Sequence, residues 1–236
     1  MTEKSGCLIC GKDLVYAKEN KTLSCYLCHK KIETNVSCQD EHYICDSCHS
    51  SDGLQVIKTF CQTTDLTDPL EIAIKIMAAP QIKMHGPEHH FLVPGVLLTA
   101  YYNFKQKKDK IKEKLAQAEK RSSLILGGFC GSHGVCGAAV GTGIFISLIT
   151  EATPLSKKEW TWSNLITSQA LTSIASQGGP RCCKRNCFLA IIEARKSLKE
   201  NMKISFPEPK ELKCNFFPLN KECQQTRCPF FGGKKK

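Results

Sequence analysis

The sequence predicts a mainly helical domain with Gly-rich cysteine loops, preceded by a small cysteine-knuckle module, an α+β layout overall. Three observations predict it. Cysteine pairs at knuckle spacing crowd the first 48 residues. Beyond residue 70 the apolar residues recur with helical period in several runs. Two stretches there, opening at Gly127 and Gly178, each carry cysteines from a glycine turn into the start of an apolar run.

Residues 1–52 form the module. Cys7-x2-Cys10 and Cys25-x2-Cys28 are followed by Cys38-x3-His42-x2-Cys45-x2-Cys48. Eight nitrogen and sulfur ligands in four pairs suit about two tetrahedral zinc ions, which replace a hydrophobic core that so short a segment cannot build. Closed ligand sets are structural rather than catalytic. Consecutive pairing gives one arrangement, and a cross-braced one, as in RING-like modules, gives another. His49 is an alternative ligand to His42. The order of the histidine-bearing pair differs from that of a RING, so ubiquitin-ligase chemistry is not implied.

Residues 53–84 are expected to be a connector and a helix. Cys61 is a lone thiol, and Leu70–Ala79 has helical periodicity through Leu70, Ile74 and Met77.

Residues 85–204 form the helical cysteine-rich domain. The polar stretch His85-Gly-Pro-Glu-His-His90 leads into an apolar run. His85, His89 and His90 are candidate acid–base groups, or else members of an exposed polar loop. Val96 to about Lys120 predicts one long amphipathic helix with a basic outer face. Gly127–Ile149, GGFCGSHGVCGAAVGTGIFISLI, sets Cys130 and Cys136 among glycines. Its apolar part falls short of the roughly 20 residues a membrane span needs, so it predicts a buried helix with a small-residue face starting near Cys136. Trp160–Ser176 predicts a helix with Leu165, Ala170, Leu171 and Ile174 inward. Gly178–Leu198, GGPRCCKRNCFLAIIEARKSL, puts Cys182, Cys183 and Cys187 in or near a helix's first turn, with Phe188, Ile191, Ile192 and Ala194 inward. Helix N-termini favour thiolates and bound anions. The two glycine turns therefore read as two walls of a thiolate-ligated cluster, against the plainer reading of buried cysteines packing as small hydrophobes.

Residues 205–236 form a tail containing Cys214-x8-Cys223-x4-Cys228. These three either bind a third metal or fold back to close the central cluster; the spacing alone assigns them no site.

The first residues carry no charged-then-apolar leader, so a cytoplasmic location is expected. In a reducing compartment, sixteen cysteines are metal ligands or catalytic groups rather than disulfides. The formal charge of +11 overstates the real one by each metal-bound thiolate. The lysines are scattered, which favours a solvated face over nucleic-acid binding. The expected partners are a small-molecule substrate and a protein contacting the zinc module, with no membrane.

The central residues resemble a known family, the α chain of iron–sulfur L-serine dehydratases and the related L-cysteine desulfidases. Gly127-Gly128-Phe129-Cys130-Gly131 is similar to that family's G-G-C-Q-A-E-x-G, with one residue inserted. Cys182-Cys183-Lys184-Arg185-Asn186 resembles its P-C-x-x-R-N, with Arg181 in place of the proline. Val93-Pro94-Gly95-Val96-Leu97-Leu98 resembles its V-P-x-V-L-L helix start. The likeness runs over about residues 85–200. The family's third cluster ligand, in a T-C-D-P segment, has no counterpart before Gly178.

The resemblance implies a [4Fe–4S] cluster with Cys130, Cys136, Cys182 and Cys183 as candidate ligands. It also implies an open iron acting as Lewis acid, Arg185 holding a substrate carboxylate, and a histidine of the 85–90 stretch taking an α-proton. The implied activity is a lyase or sulfur-handling enzyme for a small amino, hydroxy or thiol acid. The layout as a whole resembles an uncharacterised zinc-module and cysteine-rich domain family of anaerobic archaea and bacteria. The alternative is a non-enzymatic metal-binding adaptor that uses the zinc module for protein or nucleic-acid contact.

Overall fold

A computed structural model describes residues 7, 9–45, 48, 52–207 and 212–234. The chain divides into two compact units, one running to Thr64 and adding Ile74–Lys83, the other made of Asp65–Ala73 and the chain from Met84.

The first unit is built on a hairpin of β1, Leu14–Ser24, and β2, Lys31–Cys38. The strands run antiparallel from the Leu14–Cys38 pair to the Ser24–Lys31 pair, with a register shift between Tyr16 and Lys21. Exposed and half-buried residues alternate along most of β2, the period-2 pattern of a strand with one covered face. A two-stranded hairpin is marginal alone in water, so this one depends on what is bound or packed at its ends. Helix α1, Gly53–Thr63, is capped by the Asp52 carboxylate accepting from the Gln55 N–H at 2.7 Å, and it buries Val56, Ile57, Phe60 and Cys61. The expected connector therefore begins as a helix of the first unit, and its cysteine packs as a small hydrophobe. Helix α2 follows at Pro69–Met77.

The second unit is helical: α3 (Glu88–Phe104), α4 (Ile111–Ser122), a single turn at Phe129–Ser132, α5 (Gly137–Thr150), α6 (Lys158–Ser176) and α7 (Cys183–Met202). Helix α5 is the hub, packed by α3, α4, α6 and α7. A helix apolar nearly all round belongs in an interior, and its small residues set how close the neighbours come. A Cβ on Gly143 would lie 2.2 Å from Thr167 Oγ1 and 2.9 Å from the Ser163 carbonyl oxygen, so α6 meets α5 at backbone range.

Two expectations change here. The single helix over 96–120 is two helices separated by a break in which Gln106 takes a left-handed conformation (φ 54°). The lysine-rich stretch there cannot be buried, whereas α3 is buried on every side. In α6 the inward residues are Ile166, Ala170 and Ile174, while Leu165 is 49% exposed. Among the described residues no helix is long and apolar enough to cross a membrane.

Candidate metal centres and small-molecule pocket

In the first unit two ligand sets form. Cys7, Cys10, Cys38 and His42 make one, Cys25, Cys28, Cys45 and Cys48 the other, with the ligand atoms of each within 4.8 Å of one another. Cys10 and Cys38 sulfurs are 3.7 Å apart, Cys38 Sγ is 3.5 Å from His42 Nδ1, and Cys28 and Cys45 sulfurs are 3.8 Å apart. The first pair joins the third and the second joins the fourth, so the module is cross-braced.

The hairpin explains the pairing. Cys38 ends β2 opposite Leu14, beside the first knuckle, while the second knuckle is the hairpin turn at the far end. The Tyr26 N–H donates to the Tyr43 carbonyl at 2.7 Å and the Cys45 N–H to Cys25 Sγ at 3.4 Å, which returns the fourth pair to that turn. Both knuckles close in the same way: the Gly11 N–H donates to Cys7 O at 2.7 Å and the His29 N–H to Cys25 O at 2.9 Å. Each set can hold a metal ion with four side-chain ligands and no open position. The alternative ligand His49 lies outside the described residues.

In the second unit the cysteines line two pockets. The larger, about 590 Å³, lies between the glycine turns. Cys130 and Cys136 come from the first turn, Gly178 to Arg181 from the second, and Arg185 and Asn186 from the first turn of α7. Arg185 Nη2 donates to the carbonyls of Gly178 at 2.9 Å and Pro180 at 3.2 Å, tying the second turn to α7. That turn starts with Gly178 at φ 78°, a conformation glycine adopts without strain. Asn186 Nδ2 donates to Cys136 Sγ at 3.5 Å. Arg185 and Asn186 are 4% and 5% exposed, yet Arg185 Nε and Asn186 Oδ1 have no hydrogen-bond partner. Buried polar atoms without a partner are rare in folded proteins, and these two belong to residues that line the pocket.

The smaller pocket, about 20 Å³, is lined by Cys182 together with the tail cysteines Cys214, Cys223 and Cys228. Cys182 is the extended residue capping α7, its sulfur accepting from the Arg185 N–H at 3.5 Å. The tail is stitched to the second glycine turn by two amides. Gln224 Nε2 donates to the Gly179 carbonyl at 2.6 Å and the Gly178 carbonyl at 3.2 Å, and Gln177 Nε2 donates to the Arg227 carbonyl at 2.9 Å.

The structure thus separates the expected cluster ligands. Cys130, exposed, and Cys136, buried, face the larger pocket, while Cys182 joins the tail in the smaller one. Cys183 lines neither pocket; burial pushes its thiol up to about 11, with Cys136 and Cys182 nearby. The split follows from α7 starting at Cys183, so that the extended Cys182 and the helical Cys183 leave the backbone in different directions. Cys187 is fully buried, its thiol 3.8 Å from the His89 carbonyl.

None of the three candidate histidines lines either pocket. His85 Nε2 lies 3.3 Å from Asn220 Oδ1. His89 and His90 belong to α3 rather than to a loop. His90 Nδ1 is 3.0 Å from the Ile125 carbonyl, and its ring packs under Gly137. His89 is 1% exposed with Nδ1 3.1 Å from the Gly86 carbonyl, and burial lowers it to about 3. Burial also lowers Lys184 to about 8; its Nζ sits 4.8 Å above the Phe216 ring.

Sequence reasoning passed over Arg181 and Asn186 as pocket residues and left the tail cysteines without a fourth partner. The signal was present in the Cys182–Cys183 doublet, which held one thiol more than the central site needed.

Comparison of the chain with curated proteins and with solved structures finds no match. The family model that does match covers residues 57–231, from α1 to the last cysteines of the tail, and by it the chain belongs to a family of unknown function, DUF5714.

Proposed function

We propose that the chain is a cytoplasmic sulfur-handling enzyme that binds a small carboxylate-bearing amino, hydroxy or thiol acid between its two glycine turns. Its N-terminal module is a structural unit holding two zinc ions. The observation that carries the reading is the larger pocket, with a buried guanidinium and a buried amide that both keep an unused polar atom. Arg185 Nε and the Arg181 guanidinium are donors suited to a carboxylate. Asn186 Oδ1 accepts from an ammonium or hydroxyl group. The exposed Cys130 thiol is the nucleophile available at the pocket's mouth. The likeness of both glycine turns to dehydratase and desulfidase segments supports the substrate class.

The iron–sulfur ligand set implied by that likeness does not fit, because its cysteines are shared between two pockets. No bond-breaking step is therefore routed through an open iron. Zinc does fit the first unit: two closed sets of soft and borderline ligands, which bring folding energy rather than a reactive position.

Calorimetric titration of the anaerobically purified chain with L-cysteine, L-serine and 3-mercaptopropionate tests the reading, alongside assays for released sulfide. At least one acid should bind, with affinity falling about tenfold or more in Arg181→Ala, the loss of one charge-assisted contact. Cys130→Ser should keep binding and lose turnover. Binding by none of the acids ends the proposal. The second reading, an adaptor, is favoured by one feature: Leu14, Val15 and Tyr16 at the start of β1 are 38%, 47% and 70% exposed, an apolar edge suited to protein contact.

A further inference from the structure

We propose that Cys182, Cys214, Cys223 and Cys228 together ligate a [4Fe–4S] cluster, a site that shares Arg185 with the substrate pocket but none of its cysteines, and whose ligation does not depend on that pocket binding an acid. Three observations carry it.

The first is convergence across sequence. A helix-capping cysteine and three tail cysteines, 32 to 46 residues further along, line one small cavity. The bonds of Gln177 and Gln224 fix the tail where it can do so.

The second is size. One zinc ion, about 2.3 Å from each sulfur, draws four thiolates to about 3.8 Å of one another. The two sets in the first unit have that spacing, at 3.7 and 3.8 Å. No three of these four sulfurs converge to within 4.8 Å of one another. They surround about 20 Å³ of space, more than the roughly 10–15 Å³ that one water requires. Besides the four thiols the walls are Met84 and aromatic rings, together with Arg185, Asn220 and Gln224. A cubane, larger than a single ion, holds its four thiolates further apart than zinc does, and it is the wider spacing of these sulfurs that matches one.

The third is hydrogen bonding to the sulfurs. The Gln225 N–H donates to Cys223 Sγ at 3.3 Å and the Arg185 N–H to Cys182 Sγ at 3.5 Å. Hydrogen bonds to sulfur are among the means by which proteins hold and tune such clusters. The N-terminus of α7 and the adjoining Lys184 and Arg185 offset the net negative charge of a four-thiolate cubane. Four protein thiolates leave each iron capped, so the centre is coordinatively closed and the substrate's chemistry stays in the other pocket.

The test uses the full chain purified without oxygen, assayed for iron, sulfide and zinc. About four irons and four sulfides should accompany the zinc, with broad visible absorption and an electron-paramagnetic signal after dithionite reduction. Cys214→Ser and Cys223→Ser should each lose most of the iron and the absorption while keeping zinc and tryptophan emission; Cys130→Ser should keep the iron. Should a variant fail to fold, alkylation of the unaltered chain decides: Cys182, Cys214, Cys223 and Cys228 should label at least tenfold faster once iron is chelated, and Cys130 at an unchanged rate. Iron retained in both tail variants, a third zinc in its place, absence of iron, or labelling indifferent to chelation each overturns the cluster. The acid-binding result for Arg181→Ala is read separately and fails or stands by itself.

Discussion

Cysteines gather in both units of this chain, and the two gatherings are made by different forces. In the first unit each pair is a tight local knuckle, and a short hairpin carries the pairs to opposite ends of a cross-brace. Without metal ions the hairpin itself has only two strands, fewer than hold together alone in water, beside the short helix α1. In the second unit a buried helical core stands first. The tail is then laid onto it by glutamine side chains, which leave its three thiols and Cys182 around a wider space. The contrast teaches that cysteine spacing in sequence predicts a site where the ligands themselves build the fold. Where the fold builds the site, spacing says little.

The largest expected effect breaks the comparison open. Strong chelation should unfold the first unit, because the binding energy of structural zinc, about 10–16 kcal/mol in zinc-finger peptides, is folding energy. Amide resonances of residues 9–45 should collapse, while emission excited at the red edge stays put, since Trp160 and Trp162 both lie in α6. An ordered, metal-free hairpin would falsify the metal-built half of the contrast. The cross-brace has its own check: Cys10→Ser with Cys38→Ser damages one set and should leave about one zinc. Consecutive pairing would leave none.

The second effect belongs to the helical unit. Arg195 Nη1 meets Asp68 Oδ1 at 2.7 Å, with the side chains 11% and 8% exposed. The same carboxylate accepts from the Leu70 N–H at 3.1 Å at the start of α2. Arg195→Ala leaves a buried carboxylate without its cation, at a cost of about 3–5 kcal/mol in denaturant melts, with zinc content unchanged. Asp68→Asn combined with Arg195→Met should recover much of the loss, since replacing both partners removes the stranded charge. A single substitution costing less than 1 kcal/mol would show that this unit does not rest on its interior.

The third effect is a pH dependence confined to the same unit. His89 is held by burial at about 3, against an ordinary 6.5, with Glu88, Lys184, His85 and His90 as the ionisable groups around it. The unfolded chain therefore binds a proton that the folded one refuses. Stability is full above about pH 6.5 and falls as pH drops toward 3, by about 2 kcal/mol between pH 7.5 and 5. Tryptophan-monitored melts of His89→Gln should have a shallower acid slope than the unaltered chain. Equal slopes would mean that the ring titrates freely.

What the sequence disclosed follows the same division. The eight knuckle ligands, the buried α5 and the start of α7 near Cys182 were legible, because local spacing and apolar period specify them directly. The cross-brace was not, since it follows from which residues of β1 and β2 face each other. The break after Phe104 hides inside a continuous charged pattern. The histidines of 85–90 read as a polar loop because three imidazoles and a carboxylate rarely enter an interior, yet His89 is buried there and neutral. The partnership of Cys182 with the tail is a long-range contact made by Gln177 and Gln224, two residues with no motif.

Those two glutamines give the smallest and most local effect. Gln224 Nε2 bonds to the Gly178 and Gly179 carbonyls, and its Oε1 accepts from Gln177 Nε2 at 3.3 Å. Each such bond contributes about 1 kcal/mol net. Gln224→Ala should therefore loosen the tail without unfolding the helices, because segments held by few bonds open on their own below the global transition. Amide exchange at residues 223–231 should quicken about fivefold or more, while the helical melt and the first unit's metal content stay unchanged. If the glutamine stitch sets the distances between the four thiols, the same variant should also widen the cavity at Cys182 and speed the labelling of Cys214. Tail protection that survives Gln224→Ala would instead put the positioning in the aromatic packing of Phe188 on Phe230 and Phe217 on Phe231, whose ring centroids lie 5.4 and 4.9 Å apart. The tail would then be built like the rest of its unit, from packing, and the second half of the comparison would need no hydrogen-bonded seam.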